Sequence, residues 1–138
     1  VPDTQQTSAT TVGFADVVSV EAALEGSLYI LSVGLLSPDV DCDQYADWWE
    51  LLSPEGALLY RRILDHSHPT EQPFVRSSDP LKLAPDTPLM IRAHMYPFGY
   101  GGTVYSGTVA KGFTQVATEG DFAHELEKEL PLPEGCLF

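Results

Sequence analysis

The triplet His66-Ser67-His68 is the sharpest chemical feature of the chain. Along a strand, two residues separated by one project to the same face. Two imidazoles so placed suit a transition metal, since imidazole ligates zinc, copper, iron and nickel. His94 is the candidate third ligand and Glu71 the fourth. Met95 is an alternative fourth ligand, but alternation along its strand turns it to the core. This constellation predicts a zinc or copper site and, if Glu71 also moves protons, a metal-dependent enzyme. Read structurally, the same histidines make hydrogen bonds that lock an irregular loop.

A second oxygen-rich set lies upstream. Asp39, Asp41, Asp43, Asp47 and Glu50 fall at the first, third, fifth, ninth and twelfth places of an EF-hand calcium loop. Gln44 stands where that loop wants glycine, and both flanks read as strands rather than helices. Calcium is therefore the lesser metal expectation, beside a solvated acidic turn.

Other chemistries find less support. Ser67 lacks a Gly-x-Ser-x-Gly elbow. Acidic neighbours disfavour a thiolate at Cys42. Glu50 and Glu71 could act as an acid and base, but the sequence does not set their separation. Arg61, Arg62, Arg76 and Arg92 lie near Asp47, Glu50, Asp65 and Glu71. They are expected to form surface ion pairs across adjacent strands, a structural ladder rather than a catalytic set.

These residues need a scaffold, and the pattern around them is that of strands. Val18, Val20, Ala22 and Leu24 recur at period two, as do Tyr29, Leu31, Val33 and Leu35 beyond the turn Glu25-Gly26-Ser27. Residues 45–52 and 57–66 form a hairpin about Ser53-Pro54-Glu55-Gly56. Adjacent Trp48 and Trp49 must face opposite sides of it. Leu81 and Leu83 read as a short strand, residues 89–96 as a clean half-buried one, and residues 104–109 as the last. Residues 66–80 read as loop, with prolines at 69, 73 and 80. Residues 122–130, with Asp121 before them and Pro131 after, read as a short amphipathic helix.

The expectation is an all-β, immunoglobulin-like antiparallel sandwich of about seven strands with a short C-terminal helix. The chain divides into a tail at 1–11, a sandwich at 12–117, and a helix with an extended tail at 118–138. Its core-facing rows are Tyr29, Leu31, Val33 and Leu35 against Leu89, Ile91 and Ala93.

Across the central region the run Arg62-x-Leu64-x-His66-x-His68-x-x-Glu71-Gln72-Pro73-Phe74-x-Arg76-Ser77 resembles the signature of a family of small uncharacterised bacterial proteins. The preceding hairpin from Tyr45, and Arg92-Ala93-His94 with Gly99-Tyr100-Gly101-Gly102, are similar too. The resemblance spans roughly residues 28–110 and implies no activity.

Charge narrows the partners. With 7 Lys+Arg against 20 Asp+Glu, the net charge is −13. Such a field repels phosphate backbones, which argues against nucleic acid. It favours cations or basic partners, and it also keeps a domain soluble. No apolar run approaches the roughly 20 residues of a membrane span, so no membrane insertion is expected. Cys42 and Cys136 are compatible with a disulfide or with two free thiols. The polar residues 1–11 lack the pattern of a signal peptide, and suit an exported protein after processing. In a variable-type sandwich the loops 39–44, 66–78 and 96–102 gather at one pole. The leading expectation is a non-catalytic binding module for an unknown protein or small ligand, working through that pole.

Overall fold

A computed structural model describes residues 13–118 and 121–137. The tail expected at 1–11 lies outside them. Among the described residues eight strands form: β1 (Asp16–Glu25), β2 (Leu28–Leu36), β3 (Tyr45–Leu52), β4 (Leu58–Ile63), β5 (Phe74–Ser77), β6 (Leu89–Tyr96), β7 (Val104–Thr108) and β8 (Gly112–Val116). They make two antiparallel sheets, ordered β1-β2-β5 and β4-β3-β6-β7-β8. The expected immunoglobulin-like sandwich is present. Among the described residues no helix is long and apolar enough to cross a membrane.

Alternation builds the core. Leu31, Val33 and Leu35 of β2 face Ala46, Trp49 and Leu51 of β3 and Leu89, Ile91, Ala93 and Met95 of β6, all buried. Tyr29, expected in the same row, is half-buried at its edge. Trp49 enters this core while Trp48 takes the outer face of the larger sheet, yet both are buried. In β1 a bulge between Val17 and Ser19 resets the alternation. Val17 is buried, Val20 and Ala22 pack against the core, and Val18 is turned out.

Three elements differ from the sequence reading. The 66–80 loop contains β5, whose buried Phe74 sits beside Leu35 of β2. Residues 81–83 form no strand; Leu81 makes a single bridge to Tyr29. The hairpin partner β8 extends the larger sheet beyond the strand taken as last.

The expected C-terminal helix is reduced to a 3-10 turn, His124–Lys128. Ala123 before it is left-handed, with φ of 49°. The carbonyls of Phe122, Ala123, Leu126 and Glu129 accept from arginine side chains of the sheet. Guanidinium donors thus satisfy groups that an α-helix would pair internally. Amphipathic periodicity here marks a segment that straps the sheet with one buried residue, Leu126.

Two close contacts tie this frame together. Gly102 lies against the start of β1, where a side chain would collide with the Ala15 carbonyl. Cys42 and Cys136, 94 residues apart, are joined in a disulfide with Cα atoms 5.6 Å apart. Disulfides persist in oxidising compartments, so the bridge places the chain outside the reducing cytoplasm.

Closing a loop of that length stabilises the fold by about 4–5 kcal/mol in the chain-entropy treatment. Replacing both cysteines by serine is expected to lower the unfolding free energy by about that amount, measured by denaturant titration. Reductant should shift the native protein in the same direction and leave the double variant unaffected.

Candidate functional site

Glu50 is the centre of the outer face. It sits mid-β3, wholly buried, with Arg61 of β4 and Arg92 of β6 directly opposite it on either side. Its Oε1 accepts from Arg61 Nε at 2.8 Å and Nη2 at 2.6 Å, and its Oε2 from Arg92 Nε at 2.7 Å. Two guanidiniums against one carboxylate leave a buried positive excess. The C-terminal strap answers it with carbonyl dipoles. Arg61 donates to the carbonyls of Leu126, Glu129 and Pro131, and Arg92 to those of Phe122 and Ala123. Aromatic faces do the rest, with Arg61 4.1 Å from the Trp48 ring centre and Arg92 3.5 Å from that of Tyr100. Burial, reinforced by Glu50, pushes the Tyr100 hydroxyl far above its usual pKa.

His94 lies one pair along the same face. It stacks on Trp48 at 3.9 Å with planes 5° apart, and meets the edge of Tyr100. A register shift between Ala46 and Trp48 makes Asp47 an extra residue in β3. The Asp47 carboxylate lies 2.7 Å from His94 Nδ1. On the other side Glu127 of the strap lies 2.7 Å from Nε2, and its second oxygen 2.9 Å from Nε2 of His124. A neutral imidazole has one N–H, so the two carboxylates are both satisfied only by a doubly protonated ring or with one carboxyl protonated. Burial raises the pKa of Asp47, opposed by its bond to His94.

Beside this pair opens a cleft of about 470 Å³. Tyr45, Trp48, Tyr96, Asp47, His94 and Glu127 line it. The Cys42–Cys136 bridge and Leu132 and Pro133 of the strap form its far wall.

The His66-Ser67-His68 triplet lies at the same pole, beyond the end of β4. Its two rings are neighbours, with centres 4.6 Å apart. His66 is exposed, whereas His68 is buried and stacked on Phe74 at 4.0 Å. Arg76 Nη2 donates to His68 Nε2 at 2.9 Å, which leaves the ring hydrogen on Nδ1. Burial, then Arg76 and His66, lowers the His68 pKa. Its backbone N–H donates to Asp39 Oδ2 at 2.8 Å. Asp39 also accepts from the Ser37 hydroxyl and the Ala46 N–H. Gln72 completes the clasp by accepting from the Ser37 N–H and donating to the His68 carbonyl.

The structure therefore separates what residue types had grouped. His94 spends both ring nitrogens on Asp47 and Glu127, and His68 spends Nε2 on Arg76. Glu71 is exposed and pairs with Arg76 at 3.3 Å. Among the described residues no three of His, Cys, Asp and Glu are grouped so as to hold a metal ion. The calcium-loop carboxylates are dispersed because residues 45–52 are a strand, not the second half of a loop. Asp39 clasps the loops, Asp41 accepts from the Asp43 N–H, Asp47 meets His94, and Glu50 meets two arginines. The expected arginine ladder forms at Glu50, but buried rather than on the surface. Arg62 donates to the carbonyls of Ser77 and Ile63. Sequence reasoning missed Glu127, Tyr100 and the strap's role; Leu126 within the strap and the nearby Cys136 were the available signals.

No family model and no solved structure matches the chain. Among curated proteins, one from Halomicrobium mukohataei described as a "putative lipoprotein" is 34% identical over 119 residues, 86% of this chain. The aligned part is 59% of that relative's length.

Two outcomes follow from this geometry. Glu50→Gln leaves two buried guanidiniums without their counter-charge, a loss of about 3–5 kcal/mol. Hydrogen exchange should then quicken at residues 121–137 before the core strands. His68 has its pKa lowered in the fold, so the unfolded chain binds the extra proton. Its contribution is full above the unfolded value of about 6.5 and is lost as pH falls towards the folded value. His68→Gln keeps an acceptor for Arg76, and the stability gap between wild type and variant should narrow from about pH 7.5 to about 5.

Proposed function

We propose that the chain is a non-catalytic ligand-binding domain of an extracytoplasmic lipoprotein, and that it binds through the cleft between β3, β6 and the strap. The cleft itself carries this reading. It is concave, with aromatic and apolar groups in its walls and a few convergent polar groups, the usual make-up of a small-ligand site. Its frame is stiff, because the disulfide and the two arginines hold the strap that forms one wall. A binding function rather than a reaction is favoured by His94, whose two ring nitrogens are already engaged by carboxylates. The expected loop pole contributes through Cys42 and Tyr96, whereas the His66-Ser67-His68 loop serves the clasp around Asp39. Membrane anchorage is inferred from the relative's description, and the disulfide agrees with the compartment it implies.

A fragment screen monitored by protein NMR tests the cleft. Saturable shifts are expected to concentrate at Tyr45, Trp48, His94 and Tyr96. Hits that gather elsewhere, or none that saturate at these residues, would count against the assignment.

A further inference from the structure

The cleft is acidic as well as aromatic. Asp47 and Glu127 line it, and among the described residues no lysine or arginine does. An adjoining groove of about 530 Å³, which shares Leu132 and Gly135, adds Asp65 and Glu134 and again no lysine or arginine. Among the described lining residues the one basic group is His94, held between Asp47 and Glu127; with that ring charged the two carboxylates are still in excess, and the exposed His124, outside the lining, is the other imidazole that touches Glu127. The Tyr45 hydroxyl senses this field. Its pKa is raised by burial first, then by Asp47 and Tyr96, with Asp65 and Asp39 adding to it.

The aromatic walls are not equivalent. Trp48 is covered by His94 and by Arg61. Tyr45 and Tyr96 form a corner, with ring centres 6.1 Å apart and planes at 59°; Tyr96 is 46% exposed and gives the corner its open face, whereas Tyr45 is buried behind it. Aromatic faces attract cations within about 6 Å of the ring centre, and the attraction grows as water is excluded. An anion entering here would meet carboxylates without a guanidinium to bind.

We infer that the cleft takes an organic ammonium cation, a quaternary or primary amine on a small apolar body, with Tyr96 against the charge, Tyr45 backing it, and Asp47 and Glu127 as counter-charge. This rests on the cleft being the binding site. The ligand's apolar part lies along Leu132 and Pro133 of the strap, and its charge faces the tyrosine corner. The net charge of −13, which disfavours polyanions, favours such cations at this pole.

NMR titration at low salt with three probes tests the inference: choline, its neutral isostere with tert-butyl in place of trimethylammonium, and Nα-acetyl-lysinamide. Choline or the lysine analogue should give saturable shifts at Tyr45 and Tyr96, at least about tenfold tighter than the isostere. Preference for choline identifies a quaternary ammonium, and preference for the lysine analogue a lysine side chain. Tyr96→Leu, at an exposed position that leaves the core intact, should weaken the preferred cation by about tenfold. If the isostere binds as tightly as the cations, the charge assignment is overturned and the cleft stands as an apolar site. If no probe saturates, the cation assignment is overturned, and the fragment screen decides separately whether the cleft binds ligands at all.

Discussion

Glu50 carries its charge in the middle of a strand, under complete burial, and most of the outer face is arranged around that fact. An isolated carboxylate there would be protonated or expelled. It is kept by two arginines that strand pairing places directly opposite it. The arginines in turn need acceptors for their remaining N–H groups, and the chain supplies them from its own C-terminal segment. One acidic residue in β3 thus determines why residues 121–137 lie across the sheet, and why they adopt a 3-10 turn with exposed carbonyls instead of a helix.

The strap has consequences for the pole. It carries Glu127 to His94 and Cys136 to Cys42, and so closes one side of a cleft whose other side is made by the ends of β3 and β6. Removing the strap would leave Trp48, Arg61 and Arg92 on an open sheet face, an unfavourable exposure for aromatic and ionic groups built to be dry. The cleft is consequently a property of two distant stretches held together covalently and electrostatically, and neither would form it alone.

The second histidine cluster follows a different logic. Asp39 accepts three hydrogen bonds, from two loops and the start of β3, and His68 fills the space between Asp39, Phe74 and Arg76. It spans the gap between the smaller sheet's β5 and the loop ahead of β3. Its polar neighbours make it an anchor, with the ring neutral and its tautomer set by Arg76.

The sequence by itself determined the class of fold. Alternation in 28–36 and 89–96 specifies two strands with one face on the core, since side chains on a pleated backbone alternate with a period of two; the strand at 89–96, expected to be half-buried, is buried on its outer face as well, because the C-terminal strap covers Arg92 and His94. The hairpin at Ser53-Pro54-Glu55-Gly56 and the opposed tryptophans follow from the same rule. Short-range pattern could not show β5, because four residues among prolines carry too little periodicity, nor distinguish a helix from a strap at 122–130, because amphipathic spacing does not reveal who supplies the hydrogen-bond partners. The functional residues depended still more on tertiary structure. His66, His68 and His94 share a chemistry, but hydrogen bonding to Arg76, Asp47 and Glu127 assigns each a separate task. Only the folded chain brings Glu127 to His94 and Cys136 to Cys42, across separations of 33 and 94 residues. Contacts at such range are set by the packing of whole sheets, for which no local residue pattern is a proxy.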